Sequence, residues 1–366
     1  MMAARGLPKE RLVVTGFDKV LGCLAASQIG SAMGAAVEGW PWQAIQEKFG
    51  RLEQLLKYEH YGNGWKRPPG TTEDGIERQR VLLRAIRRAR GRPTAEDVAA
   101  VWRDEVDAAK AEWCMESFDR HLIRLAKAGA TGAELGRFNP YTGLVSMARS
   151  CHPLGLINAG DPAQAAADVW SVGQVLQQPL GDGLAWAAVV AAGVAAALRP
   201  DATVDTVLEA ATNAGGPSLR GEIVRALDVA ERATDAIAMR REFDIYYSGQ
   251  GMTYAQSQAN EVVSKGLAVF RAVGGRPRAA IVAAVNFGRD TDCLAAVAGG
   301  LAGALSGPAD LPADWLESLD AATAANPYTN LKMPVAAQAE IVWDALEAEA
   351  SRAIARAEML RAVRGT

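Results

Sequence analysis

The stretch Ala279-Ala280-Ile281-Val282-Ala283-Ala284-Val285-Asn286-Phe287-Gly288-Arg289-Asp290-Thr291-Asp292-Cys293 sets an apolar run directly against a doubly acidic turn. After it, Leu294, Val297, Leu301 and Leu305 recur at the three-or-four spacing of a buried helix face. A charged knot is therefore held between two apolar segments. Buried carboxylates without partners are strongly disfavoured, so Asp290 and Asp292 need hydrogen-bond donors, cationic side chains or a metal beside them. Inside a helix, residues two apart point to different sides. The pair converges only in the turn before the helix or in its first residues, and Gly288 makes such a turn easy.

Outward from this stretch the chain reads as helices. Alanine and glycine are abundant and aromatics scarce, which suits closely packed helices, and the apolar share of 49% supplies a core. An opening helix is expected from about Asp18 through Leu21, Leu24, Ile29, Met33 and Val37, ending at Glu38. Glycines inside it weaken an isolated helix by about 1 kcal/mol each, so close packing or close ligand approach should compensate. Glu38 falls at the carboxyl end, where the helix dipole disfavours a carboxylate. A cation, a metal or water should face it.

A second acidic stretch, Thr71-Thr72-Glu73-Asp74, follows the loop-like segment ending in Pro68-Pro69-Gly70 and opens a helix to about Arg90. The stripe Arg80, Arg84 and Arg87 on that helix reads as a solvated face. Further helices are expected over residues 94–110 and 112–127, then from Pro162, Asp182, Thr203 and Ser218, with Asp161, Asp182 and Asp201 as caps. Residues 129–161 break into glycines and prolines, an irregular segment of the sort that lines sites. A loop holding Tyr246 and Tyr247, both candidates for contact with a planar ring, precedes a helix over about residues 254–273. An amphipathic helix over 335–363 ends the pattern. Strand-like alternation is nearly absent, so a single all-α domain over residues 1–366 is expected.

The net charge of −3 argues against a general nucleic-acid binder. Residues 183–198 form the longest apolar run, short of the roughly twenty that span a bilayer, and are expected as a core helix. Asp18 and Lys19 interrupt the only early apolar run, so neither a targeting signal nor a membrane partner is expected, and the cytoplasm is the expected location. The four cysteines and three histidines are dispersed. Any metal should then be bound mainly through oxygen, favouring magnesium, manganese or calcium over zinc. His152 and the tryptophans Trp40, Trp42, Trp65 and Trp186 are expected in structural roles.

Taken singly, the acidic stretches are more often helix caps than ligands. Together with two other segments they resemble, in order and spacing, the ADP-ribosylglycohydrolase family over about residues 16–307. Gly22 to Glu38 is similar to its glycine-rich opening helix ending in glutamate. Thr72-Glu73-Asp74 resembles its Thr-Asp-Asp motif, and Ser146-Met147-Ala148-Arg149 its substrate loop. Asn286 to Asp292, with the small-residue helix behind, resembles its Gly-Gly-Asp-Thr-Asp-Thr signature.

The resemblance implies an all-α fold whose cleft holds one or two Mg²⁺ ions, with Mn²⁺ as an alternative, and splits the anomeric bond of an ADP-ribosyl group. The substrate is an ADP-ribosylated protein or a small-molecule N-glycoside. Carried over by position, Thr72, Glu73, Asp74, Asp290, Asp292 and Cys293 fall on metal ligands, and Glu38, Asp74 and Asp290 on the reacting centre. Ser146, Met147, Arg289 and Tyr246 are expected to contact substrate. Four positions depart from the family's pattern: Glu73 and Ser31 replace aspartates, Cys293 replaces a threonine or serine, and Arg289 replaces a glycine. Hydrolysis of another N-glycoside and a non-catalytic binding protein on the same scaffold are the rival readings.

Overall fold

The computed structural model describes residues 14–60, 62–248 and 256–364. Among them every regular element is helical, and strand-like pairing is confined to isolated bridges. The helices that build the core and the site are α1 (Gly16–Gly34), α2 (Asp74–Ala89), α3 (Gly183–Ala197), α4 (Val204–Arg232), α5 (Arg240–Ser248), α6 (Ala259–Ala272), α7 (Pro277–Val285), α8 (Thr291–Ser306) and α9 (Val335–Arg364).

The centre is the pairing of α1 with α8. A Cβ added at Gly22 would lie 2.6 Å from the Gly303 carbonyl oxygen, one at Gly30 2.3 Å from that of Ala295, and one at Gly34 2.4 Å from the Asp292 amide nitrogen. The glycines that weaken α1 in isolation thus let two backbones touch along its length. Helix α1 starts at Gly16, because Thr15 and Asp18 form a reciprocal capping box. By length and composition residues 16–37 could cross a membrane, yet 89% of the most apolar 18-residue window within them is buried inside the protein. Helix α3 is buried along nearly all its length, as expected of a core helix.

Several boundaries differ from expectation for local reasons. Residues 94–127 form three helices, Ala95–Glu105, Ala108–Ala111 and Ser117–Lys127, since the Asp107 carboxylate caps the Ala109 amide and starts a new turn. The helices expected from Thr203 and Ser218 are both present within α4, where they meet at a break: Gly216 takes a non-helical φ of +61° and ψ of −167° ahead of Pro217. Thr203, not Asp201, caps it, and Asp182 makes no capping hydrogen bond. Helix α6 begins at Ala259; Tyr254, its expected start, lies outside the described residues. Arg80 is a correction: it is fully buried, donating to Glu77 at 2.5 Å and to the hydroxyls of Thr323 and Thr329.

Candidate functional site

The turn between α7 and α8 is built by its own sequence. The Asn286 side chain exchanges hydrogen bonds with the Leu52 backbone at 2.9 and 3.0 Å. Gly288 follows with a φ of +74°, its Cα so close to the backbone of Trp40 and Trp42 that a Cβ would lie 2.5 Å from the Trp42 nitrogen. Gly39 N–H then donates to the Arg289 carbonyl at 2.8 Å, and Arg289 N–H to the Trp40 carbonyl at 2.7 Å. This backbone clamp sets Glu38 beside the acidic turn. The Thr291 hydroxyl adds a bond to the Gly34 carbonyl at 2.8 Å. Asp290 is the N-cap of α8, accepting from the Cys293 amide at 3.4 Å through Oδ1. Asp292 sits in the first turn, so the two aspartates do converge at a helix start.

Facing them are Glu73 and Asp74 at the start of α2, both buried. The Glu73 amide points at the Ser31 hydroxyl, 3.5 Å away. Its carboxylate accepts from the Tyr58 hydroxyl and lies 3.8 Å from Arg67 Nε. Asp74 is held on both oxygens: Arg78 Nη2 donates to Oδ2 at 2.5 Å and Arg149 Nη2 to Oδ1. Arg78 pairs in turn with the fully buried Asp119. Arg149 joins the two acidic stretches, since its Nη1 also donates to Asp292 Oδ2 at 2.6 Å and to Cys293 Sγ at 2.9 Å.

So many buried acids raise one another's pKa. Glu38 is pushed up to about 9, first by the Asp292 charge and then by burial, Asp290 and Glu73, with Arg149 opposing. Asp290 rises to about 7, through burial and then Asp292, and burial lifts Glu73 to about 7 against the pull of Tyr58 and Arg67. The Cys293 thiol is driven well above its usual range by burial. Two buried oxygens, Asp290 Oδ2 and Asp292 Oδ1, have no hydrogen-bond donor. Carboxylate oxygens so placed call for a shared proton or a cation, and Asp290, Asp292 and Cys293 offer ligand atoms within 4.8 Å of one another.

Asp74 and Cys293 line a cleft of about 240 Å³ whose wall also includes Arg78, Phe118, Tyr141, Ser146 and Arg149. The Phe118 and Tyr141 rings lie 5.7 Å apart, and the Arg78 guanidinium is 5.2 Å from Phe118. A larger cavity of about 620 Å³ between α2 and α9 contains none of the acidic cluster.

Of the residues expected at the site, Glu38, Glu73, Asp74, Asp290, Asp292 and Cys293 come together, with Thr72 buried beside Glu73, and Ser146 reaches the cleft wall. Three do not join them. Met147 is buried in the core, close to Gly173. Arg289, with a φ of +63°, turns to a bidentate pair with Glu261 at 2.7 and 2.9 Å. Tyr246 lies in helix α5, not in a loop, with its ring 3.5 Å from the Arg225 guanidinium. Sequence reasoning passed over Tyr58, Arg67, Arg78, Phe118 and Tyr141, and placed Arg149 in the substrate loop without assigning it a contact with the acids. Arg149 did leave a signal: it follows Ser146 by three residues in a tight turn, a spacing that puts both on one side and Met147 on the other. His152 is structural as expected, buried and bonded to Gln79 at 3.2 Å, and Trp186 is buried in the core.

A family model described as ADP-ribosylglycohydrolase matches residues 13–355. The ADP-ribosyl-[dinitrogen reductase] glycohydrolase of Rhodospirillum rubrum is 25% identical over 309 residues, spanning 83% of this chain and 90% of that protein. A solved chain from an ADP-ribosylglycohydrolase-related protein complex superposes with a TM-score of 0.57 at 21% identity, over 90% of this chain and 99% of that one. Likeness at that identity speaks to the fold alone.

Proposed function

The chain belongs to the ADP-ribosylglycohydrolase family, hydrolases that cleave glycosidic bonds, and from that premise we propose that it is a divalent-metal-dependent hydrolase releasing ADP-ribose from a protein or small molecule. The observation that carries the metal reading is the backbone clamp that sets Glu38 beside Asp290 and Asp292 while two of their buried oxygens lack donors. The oxygen-rich set suits Mg²⁺ or Mn²⁺. When bound, such an ion supplies positive charge that steadies the ribose hydroxyls and acidifies water.

The chain's own groups do the rest. Glu38 is half-buried, accepts at 3.4 Å from Gln256 of the cleft wall, and carries a proton while its neighbours are uncompensated. Once their charge is neutralised it ionises, takes a proton at a carboxylate oxygen from water attacking the anomeric carbon, and returns it to the departing atom. One C–O bond forms and the glycosidic bond breaks, so the products are ADP-ribose and the unmodified acceptor. Phe118 and Tyr141, tilted 52° to each other, offer aromatic faces for a base, and Arg78 adds positive charge beside them. The name of the Rhodospirillum rubrum relative supports a protein as the bearer of the ADP-ribosyl group.

The test is chromatographic product analysis after incubation with Mg²⁺ or Mn²⁺ and a panel of ADP-ribosyl-arginine, ADP-ribosyl-serine and simple N-ribosides. ADP-ribose release that needs metal and is lost in Glu38→Gln and Asp292→Asn is the expected result. Cleavage of the N-ribosides alone moves the protein to the other glycosidase reading. No turnover of any substrate with metal bound refutes catalysis at this site.

A further inference from the structure

We infer that Arg149 fills, with its own guanidinium, the cation position between Asp74 and Asp292, so that this chain binds a single divalent ion, at Asp290 and Asp292. The inference rests on the metal reading proposed above and narrows it.

The two halves of the acidic cluster are satisfied in different ways. On the α2 side no carboxylate is left open. Asp74 accepts from Arg78 on one oxygen and from Arg149 on the other, and Glu73 is held by Tyr58 beside Arg67. On the α8 side Asp292 Oδ2 is taken by Arg149, whereas Asp292 Oδ1 and Asp290 Oδ2 have no donor. Each carboxylate of the α2 half thus has a partner, with Glu73 Oε2 facing His60 Nε2 at 4.0 Å, whereas on the α8 side the donors stop midway through Asp292. The uncovered oxygens, one on each aspartate, are what this half leaves open to a single ion.

The placement of Arg149 is built in. Its amide donates to the Val145 carbonyl at 3.0 Å and its carbonyl accepts from Gln79 at 3.1 Å, which fixes the backbone of its turn. Its side chain then crosses α2 at Gly75, where a Cβ would lie 2.4 Å from Arg149 Nε and 2.6 Å from Cδ. A glycine at the second position of α2 is the space the guanidinium passes through. Nε has no hydrogen-bond partner, so the group is aimed by its two Nη ends alone, at Asp74 on one side and at Asp292 and Cys293 on the other. Cys293 fits this arrangement: a neutral, soft thiol is a poor magnesium ligand but accepts from a guanidinium. A second divalent ion between Asp74 and Asp292 would have to displace that guanidinium.

The test is titration of Mn²⁺ alone into metal-stripped protein, by calorimetry and by electron paramagnetic resonance. Native protein is expected to bind one Mn²⁺ per chain and to show the six-line spectrum of an isolated ion. Arg149→Ala, purified with Mn²⁺ present to compensate the exposed carboxylates, is expected to bind two and to show an exchange-coupled pair. If that variant does not fold, Gly75→Ala pushes the guanidinium out while keeping it, and stoichiometry should again rise towards two. Two ions in the native protein overturn the inference while leaving the metal reading intact, as does a folded Arg149→Ala that still binds one. No Mn²⁺ bound by folded native protein overturns both.

Discussion

Replacing Gly34 by alanine tests whether the α1–α8 contact is what positions the acidic turn. The new Cβ would lie 2.4 Å from Asp292 N and 2.5 Å from both Asp292 Cα and Thr291 C, all backbone atoms of another helix. Ordinary carbon contact begins about 1 Å further out, so the helices must separate by about that much at the point where Asp292 is held. Overpacking of this kind costs about 1–3 kcal/mol, and alanine's better helix propensity returns about 1. A net loss of up to about 2 kcal/mol in urea unfolding is therefore expected. The larger effect falls on the site. Displaced support for a metal ligand weakens affinity about 10–100-fold, so Mn²⁺ binding should drop by that factor even where the fold survives. Gly221→Ala is the control: it is exposed on α4 with nothing within 4 Å of the added Cβ, and should stabilise slightly without touching Mn²⁺ affinity. If Gly34→Ala matches the native protein in both measurements, backbone contact between α1 and α8 does not set the geometry of Asp292.

Arg80→Ala is expected to cost about 3–5 kcal/mol in urea unfolding, because it leaves the buried Glu77 carboxylate without its cation. Arg80→Ala combined with Glu77→Ala should recover part of that loss; a double variant no better than the single one would refute the pairing. His152 is fully buried, and desolvation lowers its pKa to about 4 from 6.5. Below pH 6.5 the unfolded chain takes up a proton that the folded chain refuses, so this residue's contribution is present above pH 6.5 and fades as pH falls towards 4. The native protein should lose up to about 3 kcal/mol more than His152→Gln over that interval, with the carboxylate contributions common to both cancelling. Equal pH slopes for the two proteins would show that the ring is not held neutral.

The fold was legible wherever a single residue type answers a single physical need. Three features of α1 carried their meaning in the sequence: its spaced apolar residues, its interior glycines, and a carboxylate at its end. The structure answers the glycines with backbone contact to α8. Boundaries were less legible, because a cap is a contest between near neighbours. Thr203 outcompetes Asp201 by reaching the Thr206 amide, and Asp107 splits a helix that periodicity alone would run through. The stripe of arginines on α2 misled for another reason. Spacing shows that Arg80 and Arg84 share a side, but not that Thr323 and Thr329, some 240 residues later, close over the first of them.

At the site, the acids were legible and their partners were not, and the difference lies in what each group needs. A buried carboxylate announces a demand for positive charge without saying who meets it. Arg149 meets it for Asp74 and Asp292, which lie 75 and 143 positions away in the chain, through a passage that exists because residue 75 is glycine. Arg289, adjacent in sequence to Asp290 and the obvious candidate, is carried away by its positive φ and captured by Glu261. Proximity along the chain thus chose the wrong arginine. The charge that reaches the acids comes from the residue whose backbone turn, glycine passage and guanidinium length agree in three dimensions. Those same three constraints stop it short of Asp290 Oδ2 and Asp292 Oδ1, the oxygens that remain open.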